Sequence, residues 1–337
     1  MEERERPGFS IIIPVYHGGE FLKRALKSAL KLDASPGSTE VLVAGRREDE
    51  EAAAIVAEAA SGAPFALRYL GADDSGRASF LNAACREARG DVLAFADDDC
   101  VLRPDWLARW RAILEESPVP ALVGGSDELE PGASAFSLAL EEVLHSPFIT
   151  GSFPTTGPAP SARGHPRLFN MALPRRLALD AALAGPDGTV QVFDESLPGH
   201  EDLDLARRVE RAGARVSLFP EVRVGHFRDT TWRGMLNWNF GLARAARALG
   251  VRIGPHLLLV GYFAGVIGFA AGALVWPPAA AALAALAAVY LLPVLAWAVF
   301  SGTRRRRFST ALLFPALLVP LHVARVAGYL TGRPRRS

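Results

Sequence analysis

The stretch Val92-Leu93-Ala94-Phe95-Ala96-Asp97-Asp98-Asp99 decides the fold. A short apolar run that ends in three carboxylates reads as a buried strand whose carboxyl end meets solvent or a ligand. Adjacent carboxylates repel one another unless a cation sits among them. Hard divalent ions such as Mg2+ or Mn2+ are commonly shared between one or two carboxylates and a diphosphate. Taken alone, an acidic triplet is more often a solvated turn. Its place at the end of a buried strand is what favours a metal.

Working back from Val92, the chain alternates. Phe9–Val15 is a short β-branched run, Glu40–Val43 a second and Phe65–Leu70 a third. Between them, Glu20–Lys31, Glu48–Ala60 and Gly76–Ala88 have helical spacing, with Leu22, Ala25, Leu26, Ala29 and Leu30 on one face of the first. Strand and helix in this alternation predict βαβ units and a mostly parallel sheet, in which ligands gather at the carboxyl ends of the strands. Working forward, Ser146–Arg167 is aperiodic and rich in Pro, Gly, Ser and Thr, the composition of a functional lid or a disordered loop. Order is expected to return with Arg175–Ala184, followed by a helix over Glu201–Ala212 and a strand at Arg215–Phe219. Glu201-Asp202-Leu203-Asp204 opens one of those helices. Acids there complement the helix dipole, or one of them serves as a general base, and local sequence does not choose.

Charge is segregated. The net charge is +1 over 337 residues, yet Asp229 is the last acid, and residues 230–337 hold 12 arginines and no Asp or Glu. Residues 1–229 then hold 25 basic against 36 acidic side chains. Mean hydropathy is +0.17 and half the chain is apolar, which excludes disorder. Cys85 and Cys100 are too few for a disulfide scaffold, and the acidic front argues against nucleic acid as a partner. Gly254–Trp276 and Ala279–Gly302 contain no Asp, Glu, Lys or Arg, and each is long enough to cross a bilayer of roughly 30 Å. Pro277-Pro278 is read as the turn of this hairpin. Thr231–Leu249 is amphipathic, with Trp232, Met235, Leu236, Asn239, Phe240 and Ala243 on one side, and suits either a membrane interface or a surface of the domain. Phe308–Leu330 is apolar but carries Pro315, Pro320, His322 and Arg325. It is expected to lie at the interface or re-enter, with Arg325 meeting lipid phosphates and Ser337 in the cytoplasm. Residues 1–8 hold no apolar stretch, so the front domain is expected in the cytoplasm.

Taken together, the motifs resemble the family 2 glycosyltransferases of GT-A fold. Ser10-Ile-Ile-Ile-Pro-Val-Tyr16 is similar to the family's first strand and nucleotide loop, with His17 where Asn is usual. Gly76-Arg77-Ala-Ser-Phe-Leu-Asn82-Ala83 resembles its "GKxxALN" helix. Gly90-Asp91 followed by Phe95–Asp99 resembles its "GDxxxFxDxD" strand. Phe193-Asp194-Glu195, then Gly199–Leu205 and Arg208, resembles "FDE…GEDxDLxxR". Val224-Gly-His226 resembles a late histidine, and Asn239-Phe240-Gly241 with Arg244 resembles the "YGxxR" stretch of members with a C-terminal membrane hairpin, such as those building bacterial exopolysaccharides.

The resemblance implies an α/β fold, a GT-A Rossmann-like mixed sheet with helices on both faces, followed by an α-helical membrane region. The implied domains are a cytoplasmic catalytic domain (1–230), an amphipathic interfacial helix (231–252), a transmembrane hairpin (253–302) and a basic loop with interfacial or re-entrant segment (303–337). A multi-pass protein of the cell (inner) membrane is implied. So is inverting transfer from a nucleotide-sugar donor to a hydroxyl of a lipid-linked or polysaccharide acceptor, with membrane lipid as a further partner. Asp202 is implied as the base, Glu201 as acceptor-binding, and Pro14, Val15, Tyr16, Arg77, Asp97 and Asp98 as nucleotide-sugar-binding. Asp97, Asp99 and His226 are implied as ligands of a divalent metal, Mg2+ or Mn2+. Taken alone, His226 is more readily structural. One departure stands out: the family's Asp after the second strand, which holds the nucleoside, is Ala44 here, leaving Arg46, Arg47 or Asp73 to contribute. That departure gives a second reading, a catalytically silent, glycosyltransferase-like membrane scaffold of a polysaccharide assembly complex.

Overall fold

In the computed structural model the described residues are 8–16, 18–34, 39–73, 76–116, 121–144, 146–149, 165–227, 230–251, 254–304 and 308–333. His17, residues 150–164 of the expected lid, Arg305–Arg307 and Ser337 lie outside them. The chain divides into two units, Met1–Pro131 with Phe153–Arg228, and Gly132–Ser152 with Asp229–Ser337.

In the first unit, β1 (Phe9–Pro14), β2 (Thr39–Arg46), β3 (Ala66–Ala72), β4 (Val92–Ala96), β5 (Cys100–Leu102), β6 (Ala121–Leu129), β7 (Asn170–Pro174) and the later strand β10 (Arg215–His226) form one sheet. The pair β8 (Leu183–Ala184) and β9 (Val190–Gln191) stands apart. The sheet order is β3-β2-β1-β4-β7-β6-β10-β5. Pairing is parallel from β3 to β4 and between β6 and β10, and antiparallel at β4–β7, β6–β7 and β10–β5. The sheet is therefore mixed. Order reverses at β1, which β2 and β4 flank, and such a reversal opens a ligand crevice beyond the carboxyl ends of the strands.

The helices are α1 (Glu20–Ala29), α2 (Glu50–Ala60), α3 (Arg77–Glu87), α4 (Trp106–Glu116), α6 (Arg175–Asp180) and α7 (Glu201–Arg211). They cover both faces, as alternate residues of single strands record. Ile11, Ile13, Val41 and Val43 join Leu22, Leu26, Ile55 and Trp110 in one core, while Ile12, Leu42, Leu93 and Phe95 join Phe80, Leu81 and Leu205 in the other. Burial on both faces is why these strands read as unbroken apolar runs. Gly90 has a steric reason as well: a Cβ there would lie 2.5 Å from the backbone nitrogen of Ser10.

The ordered stretch Arg175–Ala184 holds α6, which stops at Asp180, and then Leu183 and Ala184, which pair with β9. One expectation changes. The strand expected to end at Phe219 runs on to His226, past an irregularity between Leu218 and Arg223 that spans Pro220, which cannot donate a ladder hydrogen bond.

The second unit holds α5 (Ala135–Leu144), α8 (Trp232–Ala248), α9 (Gly254–Gly272), α10 (Pro277–Arg304) and α11 (Phe308–Thr331). Pro277 and Pro278 are the first residues of α10 rather than the turn, a position where the missing N–H costs nothing. Two helices are long and apolar enough to cross a membrane, over Pro277–Thr303 and Leu312–Thr331, and the apolar run Leu258–Gly272 is shorter. Pro315 and Pro320 lie inside α11 without ending it. Arg325 does not meet lipid: it is buried and its Nε donates to Asn239 Oδ1 at 2.9 Å. The buried side of α8 is Met235, Asn239, Ala243 and Ala246, whereas Trp232 is exposed. Gly328 lets α8 and α11 approach, since a Cβ there would lie 2.3 Å from Phe240 O.

Candidate functional site

The site is built at the carboxyl ends of β1, β4, β6 and β10 and the start of α7. Pro14 and Val15 are buried, and Val15 N donates to Ala44 O at 2.8 Å. Tyr16 follows them, half exposed, with its ring edge-on to Phe80 at 5.4 Å. Ala44 is wholly buried, and the residues named for its missing carboxylate lie near the same edge: Arg47 and Asp73 form an exposed ion pair at 3.5 Å.

Arg77, at the first turn of α3, joins the two acidic motifs. It pairs with Asp97, and its Nε lies 3.8 Å from Glu201 Oε1. Beyond Asp97 the chain turns back as β5, whose antiparallel register sets Cys100 opposite His226. This places Asp99 Oδ1 3.1 Å from His226 Nε2, while His226 Nδ1 lies 2.9 Å from Asp127 Oδ2. Phe227 N fixes the turn by donating to Asp99 O at 3.0 Å. His226 is thus held between two carboxylates, both its ring nitrogens engaged.

This donor set fits a hard divalent cation. Two adjacent ligands of an octahedral ion at ~2.1 Å stand about 3.0 Å apart, close to the observed Asp99–His226 separation. Asp127 stands where a metal-ligating imidazole usually finds a carboxylate for its other nitrogen. Asp99, Cys100 and His226 donor atoms lie within 4.8 Å of one another.

The carboxylates divide into two electrostatic kinds. Burial raises the pKa of Asp97; the Arg77 guanidinium opposes that and the Asp99 charge adds to it, leaving it raised. Asp98 is pushed up to about 7 by burial and by the charges of Asp99 and Asp97. Glu201 is raised by burial against the pull of Arg77. Asp202 goes the other way. Burial raises it, but His165, Arg167 and His200 outweigh that and hold its carboxyl well below the usual range. Asp202 Oδ1 accepts from Leu203 N at 2.7 Å and faces His165 Nε2 at 3.3 Å. His200, just before α7, takes a left-handed conformation (φ 59°), the only non-glycine residue to do so among those described.

Several motif residues serve the frame. Asn82 Nδ2 donates to Phe193 O at 2.8 Å and to Glu195 at 2.9 Å, and its Oδ1 accepts from Phe193 N at 2.9 Å, clamping the "FDE" turn to α3. Arg208 pairs with Asp204 at 2.9 Å and donates to Val192 O and Ala181 O, fixing the chain ahead of α7. Three residues escaped the sequence reading. Asp127 had a faint signal, an acid inside the strand Ala121–Leu129. His165 had none, because it lies inside the aperiodic segment Ser146–Arg167. Asn170, which accepts from Trp106 Nε1 at 2.9 Å and donates to Ser126 O and Val222 O at 2.8 Å, reveals its role only in the fold.

A family model described as "Glycosyltransferase like family 2" matches residues 7–240. No curated protein matches. Among solved structures, the mannosyltransferase PcManGT from Pyrobaculum calidifontis, in complex with GDP-Man and Mn2+, is similar at a TM-score of 0.59. Its identity is 21%, over 97% of this chain and 88% of its own. S. aureus TarS 1-349 in complex with UDP aligns at 0.48 and 16% identity over 96% of this chain and 89% of its own. The first likeness supports a common fold; nothing is built on the second.

Proposed function

The chain belongs to the glycosyltransferase-like family 2, and from that premise we propose that it is an inverting, metal-dependent enzyme anchored in a membrane. It moves a sugar from a nucleotide-diphosphate donor to a hydroxyl of a lipid-linked or polysaccharide acceptor. The observation that carries this reading is the meeting of two acidic motifs, far apart in sequence, through Arg77.

The roles follow from charge state and place. Tyr16, after Pro14 and Val15, lines the nucleotide side at the reversal of strand order. Arg77 and Asp98 face the diphosphate. Asp97, Asp99 and His226 would hold a divalent metal, which would supply Lewis-acid neutralisation of the leaving diphosphate. The complex of PcManGT with Mn2+ makes Mn2+ the first metal to try. Asp202 stays ionised near neutrality, so it takes the acceptor hydroxyl proton while that oxygen attacks the anomeric carbon. The bond to the diphosphate breaks with its electron pair on the leaving group, and one in-line displacement inverts the centre. Glu201 binds the acceptor.

Anchoring rests on α9 and α10, the consecutive apolar helices that follow α8. In the spanning window of α10 11% of residues are buried, against 39% in α11, so α10 is the more lipid-exposed of the two. His322 and Arg325 of α11 turn into protein, to Tyr290, Phe148 O and Asn239, which suits a segment lying at the membrane surface. A cysteine at Ser337 labelled from outside by an impermeant thiol reagent makes α11 a third span instead; Cys85 and Cys100 are buried and give little background. The second reading, a silent scaffold, is favoured by Ala44. Incubating the purified protein with Mn2+ and a panel of nucleotide sugars separates the two: an enzyme releases nucleoside diphosphate from at least one, and a scaffold from none.

A further inference from the structure

The histidine beside Asp202 has no part in the roles above. It comes from the residues just before β7, far from α7 in sequence, and its side chain is mostly buried. Its Nε2 lies 3.3 Å from Asp202 Oδ1, the same oxygen that accepts from Leu203 N at 2.7 Å. One carboxylate oxygen is thereby engaged twice and the carboxyl plane fixed. The His200 ring stands 6.1 Å from that of His165, carried by the left-handed backbone at the helix entry.

We propose that His165 is a positioning residue for the transfer step: by donating its Nε2–H to Oδ1, it orients Asp202 so that the second carboxylate oxygen receives the acceptor proton. The inference rests on Asp202 being the base. In the step itself, the acceptor O–H proton passes to the second oxygen of Asp202 as the acceptor oxygen bonds to the anomeric carbon. The bond from that carbon to the diphosphate oxygen breaks, its electron pair leaving with the nucleoside diphosphate. His165 keeps its proton throughout. Burial, and after it the charge of Arg167, lower the His165 pKa, and the Asp202 charge opposes them.

The charged and titratable groups that act on Asp202 come from several elements: His165 and Arg167 before β7, His200 at the helix entry, Glu201 beside it, Arg77 from α3 and Asp97 after β4. Of these, His165 brings a ring nitrogen from outside α7 to within hydrogen-bond distance of the Asp202 carboxylate. Removing it frees the carboxyl plane of Asp202, so kcat falls while donor KM holds.

The test uses the full chain with Mn2+ and the nucleotide sugar that the wild type hydrolyses fastest. His165→Ala lowers kcat about 10–100-fold and leaves donor KM and Mn2+ affinity within about twofold. His165→Gln, which keeps an amide donor, recovers part of kcat. An unchanged kcat, or a loss confined to donor KM, overturns the proposal. Wild-type turnover by Asp202→Asn instead sinks the base assignment and is thereby distinguishable. NMR titration of the histidines in metal-free protein gives an answer that needs no turnover. Asp202→Asn lowers the His165 pKa if the pair exists in solution, and an unchanged titration overturns it.

Discussion

Two sets of carboxylates share the carboxyl end of one sheet and behave oppositely. At the end of β4, Asp97 and Asp98 stand half-buried beside Asp99, and their pKa values rise. At the start of α7, Asp202 is buried, yet His165, Arg167 and His200 hold it ionised. The residue type is the same, and the neighbours decide the sign. The first set meets Arg77 at Asp97, yet burial and mutual repulsion still win there, which is why the proposed reading adds a cation. The second is balanced by protein and held ionised, the state the proposed base requires. Carboxylates pushed apart in this way mark a division of labour between holding charge and moving a proton.

The comparison breaks most visibly at Asp202. Asp202→Asn keeps the shape and removes the base, so transfer is expected to fall on the order of 10²–10⁴-fold, with donor affinity within about twofold. Parallel turnover and calorimetry check this, and wild-type turnover makes Asp202 only a helix-terminal acid. Next in size is Asp127, which orients His226 without itself being in the expected metal set. Asp127→Asn should weaken Mn2+ binding about 10–100-fold, as loss of a carboxylate behind a ligating imidazole does elsewhere. An unchanged Mn2+ isotherm would mean that the Asp127–His226 pair serves packing alone.

The smallest effect concerns stability, and its sign separates the two sets. A carboxyl whose folded pKa lies above its unfolded value costs stability as pH rises between the two, and the cost is complete above the folded value. Asp98, at about 7, does so from about pH 4 to about pH 7. In EDTA at pH 8, Asp98→Asn should therefore stabilise the protein by on the order of 2 kcal/mol, and have little effect at pH 4. Asp202, with its lowered pKa, contributes stability above its unfolded value and loses it as pH falls. Asp202→Asn should thus destabilise at pH 8. Thermal melts of both variants at the two pH values check the opposition, and shifts of the same sign at pH 8 would remove the distinction.

How much of this could be read beforehand depended on burial and on distance along the chain. The strands β1, β2 and β4 are buried on both faces and announce themselves as apolar runs, and α1, α2, α3 and α7 were legible from their spacing and first-turn residues. The stretch from Trp106 to Leu144 was not read: β6 breaks its apolar run with Gly124, Gly125, Ser126, Asp127 and Glu128, and β7 is only Asn-Met-Ala-Leu-Pro. Asp97, Asp99, Asp202 and His226 stood out as motif residues. What the linear pattern hid were partners supplied across the sheet or from within an irregular segment. Asp127 reaches His226 from a neighbouring strand, and His165 reaches Asp202 from residues with no period at all. Arg325 shows the same limit in the helical unit, where a charge in an apolar helix meets Asn239 of α8 and not lipid.

The central claim is that the carboxylates after β4 wait for a cation that carries a nucleotide diphosphate. Calorimetric titration of the full chain with GDP and with UDP, each with Mn2+ and with EDTA, tests it most directly. At least one of the two nucleotides should bind in Mn2+, at least tenfold more weakly in EDTA, and Asp99→Ala should abolish the difference. Binding of neither nucleotide in Mn2+, or equal binding in Mn2+ and in EDTA, contradicts the account.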